Sequence, residues 1–433
     1  MSNFTDSSLV NAVIEAYSHK AKSATGRSHK TAQSVGYTES DLKSIPASAQ
    51  LGLGCGSPVH AANLKDTEIV IDLGSGAGID ILLAALKVGP HGQAIGIDVS
   101  ADMIALARRN ATEKGLKFPQ VAFIQASLAE PLPITTNTVD CVLSNCVINL
   151  LPHSKKEGAL KEIYRILKPG GRLVIDDVRY TYLPVHGQSS IELQIVARRP
   201  LSDEIRNDLT AYVNCISGSI LVEKYKTILE TSGFTEITFL ETGNELQQIC
   251  IVANGSSCYS ASTSCKPKYD VNAWVASYQI TAVKNSTSQE RGETTLTPVL
   301  LRWWDAYPKV KSDPGRIPME ELEILMRESP TNGNLAVIDV RKDDRAGGHI
   351  RGSENWYAQT FYDNLPAFLE KHKNTSRVIF YCGSSSGRGP RCAGWYQDYL
   401  NDKSVTSSTA YVLQGGIKAW LAKYGDQEDL VEV

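Results

Sequence analysis

The sequence predicts an α/β protein of two unlike domains, the first built on a doubly wound parallel sheet with a small α+β extension. Residues 68–178 alternate apolar strand-like runs with helical patterns. A polar segment without periodicity covers residues 284–296, and a second set of strands and helices follows it. Strands that alternate with helices form parallel sheets, because each crossover returns the chain to the same edge.

The composition is that of a globular protein and excludes several classes of function. The chain has 433 residues, 42% of them hydrophobic, and a net charge of −3. Two or three domains are therefore expected, with no general attraction to nucleic acid or anionic membranes. No apolar run reaches the roughly 18 residues of a membrane span, and the N-terminus lacks a basic and apolar leader. We expect a cytoplasmic protein that acts on a small molecule, with no nucleic-acid or membrane partner.

The first domain is predicted to contain five strands with helices between them. The predicted strands are residues 68–73, 93–98, 121–124, 139–144 and 172–175. The predicted helices run to about Val88, over 101–114 and over 157–167, and Pro169-Gly170-Gly171 is expected to end the last of them. Beyond the core we predict a helix at 223–232 and a strand at 236–240.

The same pattern predicts the division of the chain. Residues 1–180 form the core, 181–283 an extension, 284–296 a linker and 297–433 the second domain. We find no internal repeat, so the two domains are expected to have different folds and different chemistry.

A glycine-rich turn follows the first predicted strand. Gly74-Ser75-Gly76-Ala77-Gly78 opens a helix, Asp72 precedes it, and Asp98 ends the second strand. Glycines at such a turn let a cofactor approach the backbone, and an acid at the end of the second strand binds ribose hydroxyls. A tight turn without a ligand is the alternative. Together with Leu167-Lys168-Pro169-Gly170-Gly171, these residues resemble the S-adenosylmethionine-dependent methyltransferases over about residues 45–180.

This resemblance implies a bound S-adenosylmethionine. The residues it assigns to the cofactor are Asp72, Gly74, Ser75, Gly76, Asp98, Met103, Ser127, Leu128 and Asn145. Asp98 would bind the ribose diol, Met103 would pack on the adenine, and Asn145 would lie near the methionine end. The superfamily often has an acid near residue 127; none is present here, so backbone contacts to the adenine are expected.

Three cysteines come from separate segments that the fold could bring together. Cys55 lies in a turn ahead of the sheet, Cys146 follows strand four, and Cys215 lies beyond the core. The count of nine cysteines is odd and the spacing irregular, which favours free or chemically used thiols over a disulfide framework. The alternative is that each is a small buried hydrophobic residue.

The segments around these cysteines resemble arsenite methyltransferases over about residues 45–285. They read GCGSP, SNCVINL and NCISG. The resemblance implies that Cys55, Cys146 and Cys215 bind trivalent arsenic, and that residues 181–283 are an arsenic-binding extension. The family's fourth, N-terminal cysteine is absent from residues 1–54. For Cys250, Cys258 and Cys265 the alternatives are transfer of metalloid, resolution of disulfides, or no role.

The second domain contains a Cys-x5-Arg loop. A predicted strand, 378–381, leads into Cys382-Gly-Ser-Ser-Ser-Gly-Arg388 and then a helix. Such a loop turns its N–H groups toward an oxyanion, and the same field makes the cysteine a thiolate nucleophile. A Gly/Ser-rich turn without a ligand is the alternative.

With Val337-Ile338-Asp339-Val340-Arg341 and Gly348-His349-Ile350-Arg351-Gly352, this loop resembles the rhodanese fold over about residues 297–425. The loop length and the following Gly389-Pro390-Arg391 are similar to yeast-type arsenate reductases and cell-cycle phosphatases of that fold. Those proteins usually carry His before the Cys, where this chain has Tyr381. No acid lies between Cys382 and Arg388, which favours arsenate reduction over phosphoester hydrolysis, and Cys392 is a candidate resolving thiol.

These observations predict a bifunctional arsenic enzyme. The second domain would reduce arsenate at Cys382 and Arg388, and the first would methylate the product with S-adenosylmethionine. A thiol reductant, glutathione or thioredoxin, would regenerate both sites. Two alternatives stay open: another small-molecule methyltransferase fused to a sulfurtransferase or phosphatase, and a non-catalytic protein that binds or senses a metalloid.

Overall fold

The computed structural model describes residues 4–23, 29–179, 201–242, 275–286, 302–328 and 334–432. The chain divides into two compact units, Met1–Arg302 and Trp303–Val433. Most of the predicted linker lies outside the described residues, as do Cys250, Cys258 and Cys265. Among the helices of the described residues, none combines the length and apolar character that a membrane span requires.

The first unit contains a seven-stranded sheet. Its strands are β1 (Ile69–Leu73), β2 (Gln93–Asp98), β3 (Val121–Gln125), β4 (Val139–Asn145), β5 (Leu167–Arg179), β6 (Phe234–Glu241) and β7 (Ala276–Lys284). They lie side by side in the order β3-β2-β1-β4-β5-β7-β6. The neighbouring pairs from β3 to β5 are parallel, and β7 is antiparallel to both β5 and β6. This sheet confirms the predicted fold class of the first domain.

Helices cover the sheet and its ends. They are α1 (Asp6–Lys22), α2 (His29–Ser34), α3 (Glu39–Ser44), α4 (Pro58–Ala61), α5 (Ile79–Val88), α6 (Ala101–Glu113), α7 (His153–Ile166), α8 (Asp203–Arg206), α9 (Leu209–Val213) and α10 (Val222–Thr231). The helix α5 is almost entirely apolar and fully buries Ile81, Leu82 and Ala84, whereas α6 buries only one face. Burial of such apolar faces against a sheet is what stabilises this fold class.

Two details of the prediction were wrong. The strand β5 begins at Leu167 directly after α7, so Pro169-Gly170-Gly171 lies inside the strand. A register shift between Val139 and Cys141 of β4 accommodates this early start, because a bulge absorbs the extra backbone. Lys284, predicted as the first linker residue, ends the strand β7.

The second unit is a smaller parallel sheet between helices. Its strands are β8 (Gly315–Ile317), β9 (Leu335–Asp339), β10 (His349–Ile350), β11 (Glu354–Asn355), β12 (Arg377–Tyr381), β13 (Thr409–Leu413) and β14 (Val431–Glu432). Five of them are parallel in the order β11-β9-β12-β13-β8, and β10 pairs with β14. The helices are α11 (Met319–Glu328), α12 (Ala358–Phe361), α13 (Leu365–His372), α14 (Arg388–Asp402) and α15 (Gly416–Tyr424).

Aromatic side chains fill one side of this second core. Phe368 contacts Phe361 and Tyr396 edge to face, with ring centroids 4.9 and 4.8 Å apart. The core holds β12 at the centre of the sheet, and Cys382 follows at the carboxyl end of that strand. Ligands of parallel α/β sheets bind at this end of the strands.

Candidate active sites

The glycine turn of the first unit lies between β1 and α5. Gly74, Gly76 and Gly78 have φ of +71°, +51° and +94°, a region that other residues rarely adopt. A Cβ on Gly74 would overlap the side chain of Val147, whereas a Cβ on Gly76 would meet nothing within 4 Å. The backbone at Gly76 therefore faces open space, and this space is a cavity at the carboxyl edge of the sheet.

Most of the residues predicted for the cofactor line this cavity. They are Asp72, Gly74, Ser75, Gly76, Asp98, Ser127, Leu128 and Asn145. Met103 is the exception, because its side chain is fully buried in a separate cluster with Ala21, Ala77 and Leu106. Cys146 also lines the cavity, and α1 contributes Tyr17.

Carboxyl groups crowd the polar side of the cavity. Asp98 accepts hydrogen bonds from the backbone N–H of Gly76 (2.9 Å) and of Ser100 (2.8 Å). Burial raises the pKa of Asp98, and burial next to Asp80 and Asp98 raises the pKa of Asp72 well above its usual range. Asp72 Oδ1 has no hydrogen-bond partner within the described part of the chain. These buried acids favour a ligand that carries positive charge.

Asp80 was missed by the sequence analysis. Its Oδ2 accepts from the Tyr37 hydroxyl (2.9 Å) and from Asn145 Nδ2 (3.4 Å), and its Oδ1 lacks a partner among the described residues. Burial raises the pKa of Asp80 to about 6. The available signal was one acid in the otherwise apolar first two turns of α5.

The three candidate cysteines meet beside the cavity. Cys55 and Cys146 form a disulfide with their Cα atoms 5.9 Å apart, and the Cys215 thiol donates to the carbonyl of Cys146 at 2.7 Å. All three are buried, with exposed fractions of 4%, 7% and 4%, in one cluster with Leu9 and Val13 of α1. Burial, reinforced by the charge of Asp177, raises the pKa of the Cys215 thiol.

Two of these cysteines have a strained backbone. Cys146 and Cys215 have φ of +58° and +66°, the left-handed region that costs a residue with a side chain about 1 kcal/mol or more. Hydrogen bonds hold both turns: Cys146 N–H donates to the Asp176 carbonyl (2.8 Å), and Asn149 Nδ2 donates to the Cys215 carbonyl (3.0 Å). The backbone thus directs both sulfur atoms toward one place.

Lys156 fixes the turn that follows Cys146. Its ammonium group donates to the carbonyls of Ile148 (2.6 Å), Asn149 (3.1 Å) and Leu151 (2.7 Å), and its exposed fraction is 1%. The Tyr212 hydroxyl donates to the carbonyl between them, Leu150, at 3.0 Å. Four consecutive carbonyls, from Ile148 to Leu151, therefore accept hydrogen bonds from these two side chains.

Asn145 joins the Cys55 loop to the end of β4. Its Oδ1 accepts from Cys55 N–H (2.9 Å), and its Nδ2 donates to the Gly56 carbonyl (2.8 Å). A Cβ on Gly56 would overlap the carboxyl group of Asp176, so this loop packs directly on β5. Asn145 thus contacts the thiol cluster as well as the cavity.

In the second unit, Cys382 and its loop lie at the carboxyl end of β12. The carbonyls of Cys382 and Gly383 accept from Ile417 and Lys418 N–H, both at 3.0 Å. Ser385 Oγ lies 3.4 Å from Cys382 N, and α14 begins at Arg388. The start of α15 therefore fixes the direction of the loop.

Arg388, which the sequence predicts to take part in oxyanion binding at Cys382, is paired with an acid from another turn. Its two terminal nitrogens donate to both carboxylate oxygens of Asp344, with Nη1 3.0 Å from Oδ1. This pairing lowers the pKa of Asp344 to about 2. The contact joins residues that are 44 positions apart, and no sequence pattern indicated it.

Tyr381 occupies the position where the similar families usually have His. Its hydroxyl donates to Asp339 at 2.9 Å and contacts Ser353 Oγ at 2.9 Å. Burial raises the pKa of Tyr381, so it is a neutral residue beside Cys382. Cys392 is fully buried in the same apolar cluster as Cys382, and burial raises the pKa of its thiol well above the usual range.

Comparisons with known proteins match both units. A family described as a methyltransferase domain matches residues 64–233, and a family described as a rhodanese-like domain matches residues 321–423. The chain joins a methyltransferase domain to a rhodanese-like domain.

Named relatives exist for each domain. The chain is 36% identical over 203 residues to an arsenite methyltransferase of Halobacterium salinarum (47% of this chain, 46% of the relative). It is 33% identical over 192 residues to an arsenite methyltransferase of Aquipseudomonas alcaligenes (43% and 49%). Arsenate reductase 2.2 of Oryza sativa subsp. japonica is 35% identical over 89 residues (20% of this chain, 68% of the relative). The chain thus spans about half the length of the two arsenite methyltransferases.

We predict that Lys156→Met destabilises the methyltransferase domain by about 3 kcal/mol, because buried carbonyls lose their donor. The matched control is Lys155→Met, which removes a half-exposed side chain that lies 3.7 Å from Glu130 and should cost less than about 1 kcal/mol. Urea unfolding of the full chain measures both. Equal losses would show that Lys156 does not hold the turn.

We also predict that Asp176→Asn stabilises this domain in a pH-dependent manner. Burial raises the pKa of Asp176 to about 7, against about 3.9 in the unfolded chain. The contribution of the protonated Asp176 carboxyl group to the free energy of unfolding is therefore complete below pH 4, and it is lost as the pH rises through 7. The gain in Asp176→Asn should grow from pH 5 to 7 and level off at up to about 4 kcal/mol.

Urea unfolding at several pH values measures this gain, with Glu157→Gln, an exposed acid of α7 paired with Lys161, as the control. A gain that is the same at pH 5 and pH 8 would contradict the assignment of the buried charge to Asp176.

Proposed function

We propose that the methyltransferase domain methylates trivalent arsenic held by Cys55, Cys146 and Cys215, and that the rhodanese-like domain reduces arsenate at Cys382. The observation that carries the first part is the meeting of these cysteines beside the cavity of the glycine turn. The named relatives support the same substrate class for both domains. Cytoplasmic location stays a prediction.

The cavity fits S-adenosylmethionine, which carries a sulfonium and an ammonium group. Asp72 and Asp80 both present carboxylate oxygens that lack partners among the described residues, and both line the cavity. Asp98 has two carboxylate oxygens with about four lone pairs, more than its bonds to backbone N–H groups use, and would accept ribose hydroxyls. The bound cofactor supplies an electrophilic methyl group; Met103, enclosed in its own cluster, is not proposed as a contact.

Three thiols suit trivalent arsenic because it is soft and pyramidal. Arsenous acid is neutral, and each thiol that binds it releases one water: an S–H and an As–O bond break, while an As–S and an O–H bond form. The raised pKa of Cys215 is compatible with this exchange, since protonated thiols react without net loss of a proton. The arsenic lone pair is the nucleophile, so the domain contributes position rather than a base.

The disulfide between Cys55 and Cys146 requires a reductant before arsenic is bound by three sulfurs. Two electrons and two protons convert it to two thiols, and glutathione or thioredoxin supplies them in this proposal. Methylation forms an As–C bond and breaks the S–CH3 bond, which oxidises arsenic by two electrons. A second pair of thiol electrons returns it to the trivalent state.

At the rhodanese-like domain, the Cys382 thiolate would displace water from protonated arsenate and form an As–S bond. A second thiol then attacks Cys382 sulfur, forms a disulfide and leaves the electron pair on arsenic, which departs as arsenite. Asp344 cannot act as a leaving-group acid, because its pKa of about 2 keeps it ionised. This favours arsenate reduction over phosphoester hydrolysis, in which the leaving alkoxide needs a proton.

We predict that Cys146→Ser and Cys215→Ser each lower arsenic methylation at least about a hundredfold, because the nucleophile is no longer positioned. Cys141→Ala, in the core of β4, is the matched control and should keep most of the activity. The full chain is incubated with arsenite, a thiol and labelled S-adenosylmethionine, and cofactor binding is measured separately. Activity that survives in both serine variants would favour a different acceptor; stoichiometric arsenite binding without turnover would favour a sensing protein.

We predict that Cys382→Ser leaves methylation of arsenite unchanged and abolishes methylated product from arsenate. Arsenic speciation from each starting oxyanion measures the two activities of the full chain. Cys392→Ser tests whether the second thiol is Cys392 or an external reductant. Arsenate reduction should be lost in this variant only if Cys392 is the thiol that attacks Cys382. Arsenate reduction that persists in Cys382→Ser would overturn the assignment of that loop.

A further inference from the structure

Arg388 and Asp344 of the rhodanese-like domain form an ion pair beside the Cys382 loop. Arg388 carries the positive charge of the Cys382 loop, and Asp344 lies on a short turn after β9. The side chains are 28% and 48% exposed, respectively, so the pair lies at the surface of the loop within reach of solvent. Both oxygens of the carboxylate are used, each by a different terminal nitrogen.

A buried network holds Asp344 in this position. Asp339, which is fully buried, accepts from Arg341 (2.7 Å) and from the Tyr381 hydroxyl (2.9 Å). Arg341 also donates through Nη1 to the backbone carbonyl of Asp344 at 2.9 Å. Asp339 therefore contacts Tyr381, the residue next to Cys382, and it also holds Arg341, which binds the turn of Asp344. In this way the buried network fixes the turn that carries the Asp344 carboxylate.

A carboxylate on a guanidinium group has the geometry with which an oxyanion would bind the same group. Arsenate brought to Cys382 would add negative charge beside the thiolate and Asp344, with Arg388 as the cation that contacts Asp344. Both terminal nitrogens of Arg388 already donate to Asp344, which leaves Nε–H and the outer N–H groups for another ligand. An incoming oxyanion must share or displace the carboxylate.

We propose that Asp344 is an internal competitor for Arg388 that sets the oxyanion affinity of the Cys382 loop. This inference rests on the proposed oxyanion chemistry of the loop and identifies the residue that tunes it. Asp344 is a positioning residue: it acts on the substrate through Arg388. In the resting loop the carboxylate neutralises the guanidinium charge, and an oxyanion binds only as far as it outcompetes that carboxylate.

The test uses alkylation of Cys382 by iodoacetamide in the full-length protein, quantified on the Cys382 peptide by mass spectrometry. Arsenate, phosphate and sulfate are added in separate arms, and protection gives the affinity for each. Asp344→Asn should bind the oxyanions about fivefold more tightly, the upper range of an exposed ion pair. Its alkylation should also begin at a lower pH, because Arg388 then stabilises the thiolate without competition.

The matched control is Glu320→Gln, which removes an exposed carboxylate paired with Lys423 elsewhere in the same domain and should change neither measurement. The pH profile separates this role from simple support of the fold, since a loosened loop would raise the pH at which alkylation begins. Arg388→Lys should weaken protection in both the wild type and Asp344→Asn.

Each outcome is decisive. Equal or weaker protection in Asp344→Asn, with protection of the wild type intact, would overturn the role of Asp344 and leave the oxyanion loop standing. Protection of neither protein by any of the three oxyanions would overturn both the competitor and the proposed oxyanion chemistry.

Discussion

The turn after β4 is the constraint on which the methyltransferase site depends. Cys146 must face the cavity and also approach the turn of Cys215, which the chain achieves with a left-handed backbone at both residues. The carbonyls that follow then point into the interior, where an unsatisfied acceptor costs free energy. Lys156 and Tyr212 supply the donors. A buried ammonium group is thereby stabilised by the backbone that it holds in place.

The secondary structure elements that could be predicted from the sequence are those defined by neighbouring residues along the chain. Predicted and observed bounds of the first four strands agree within one residue, because short apolar runs end at glycine or polar residues. The position of Cys146 at the edge of the cavity followed from topology, since ligands of parallel sheets bind at the carboxyl ends of the strands. The approach of Cys55 and Cys215 was expected only from the family resemblance, because neither residue follows a strand of the parallel sheet. The antiparallel strand β7 was missed, although its residues alternate between buried and partly exposed positions as a strand with one buried face does.

The rest required contacts between distant residues. Lys155 and Lys156 are adjacent and identical in the sequence, but the fold buries only Lys156, and Lys155 is half-exposed beside Glu130. Met103 has the expected place in the chain, but α6 directs its side chain into a separate cluster. Arg388 has the expected place in the Cys382 loop, but its carboxylate partner, Asp344, comes from the turn after β9. Propensity and spacing contain none of this information.

The charged groups at the two sites differ: the cavity is lined by acids, whereas the Cys382 loop carries Arg388 paired with Asp344. This difference fits the proposed order of reactions. Buried acids around the cavity suit a cationic cofactor, and Arg388 suits anionic arsenate. Arsenous acid, which we propose as the product of the rhodanese-like domain and the substrate of the methyltransferase domain, is neutral and is not attracted by charge to either site. Its capture must therefore come from bond formation with sulfur. A buried thiol whose pKa is raised, as that of Cys215 is, suits that task, because it exchanges for hydroxide without creating a buried charge. The apolar surroundings of the thiol cluster thus agree with a neutral substrate, whereas an anionic one would be repelled by the neighbouring acids.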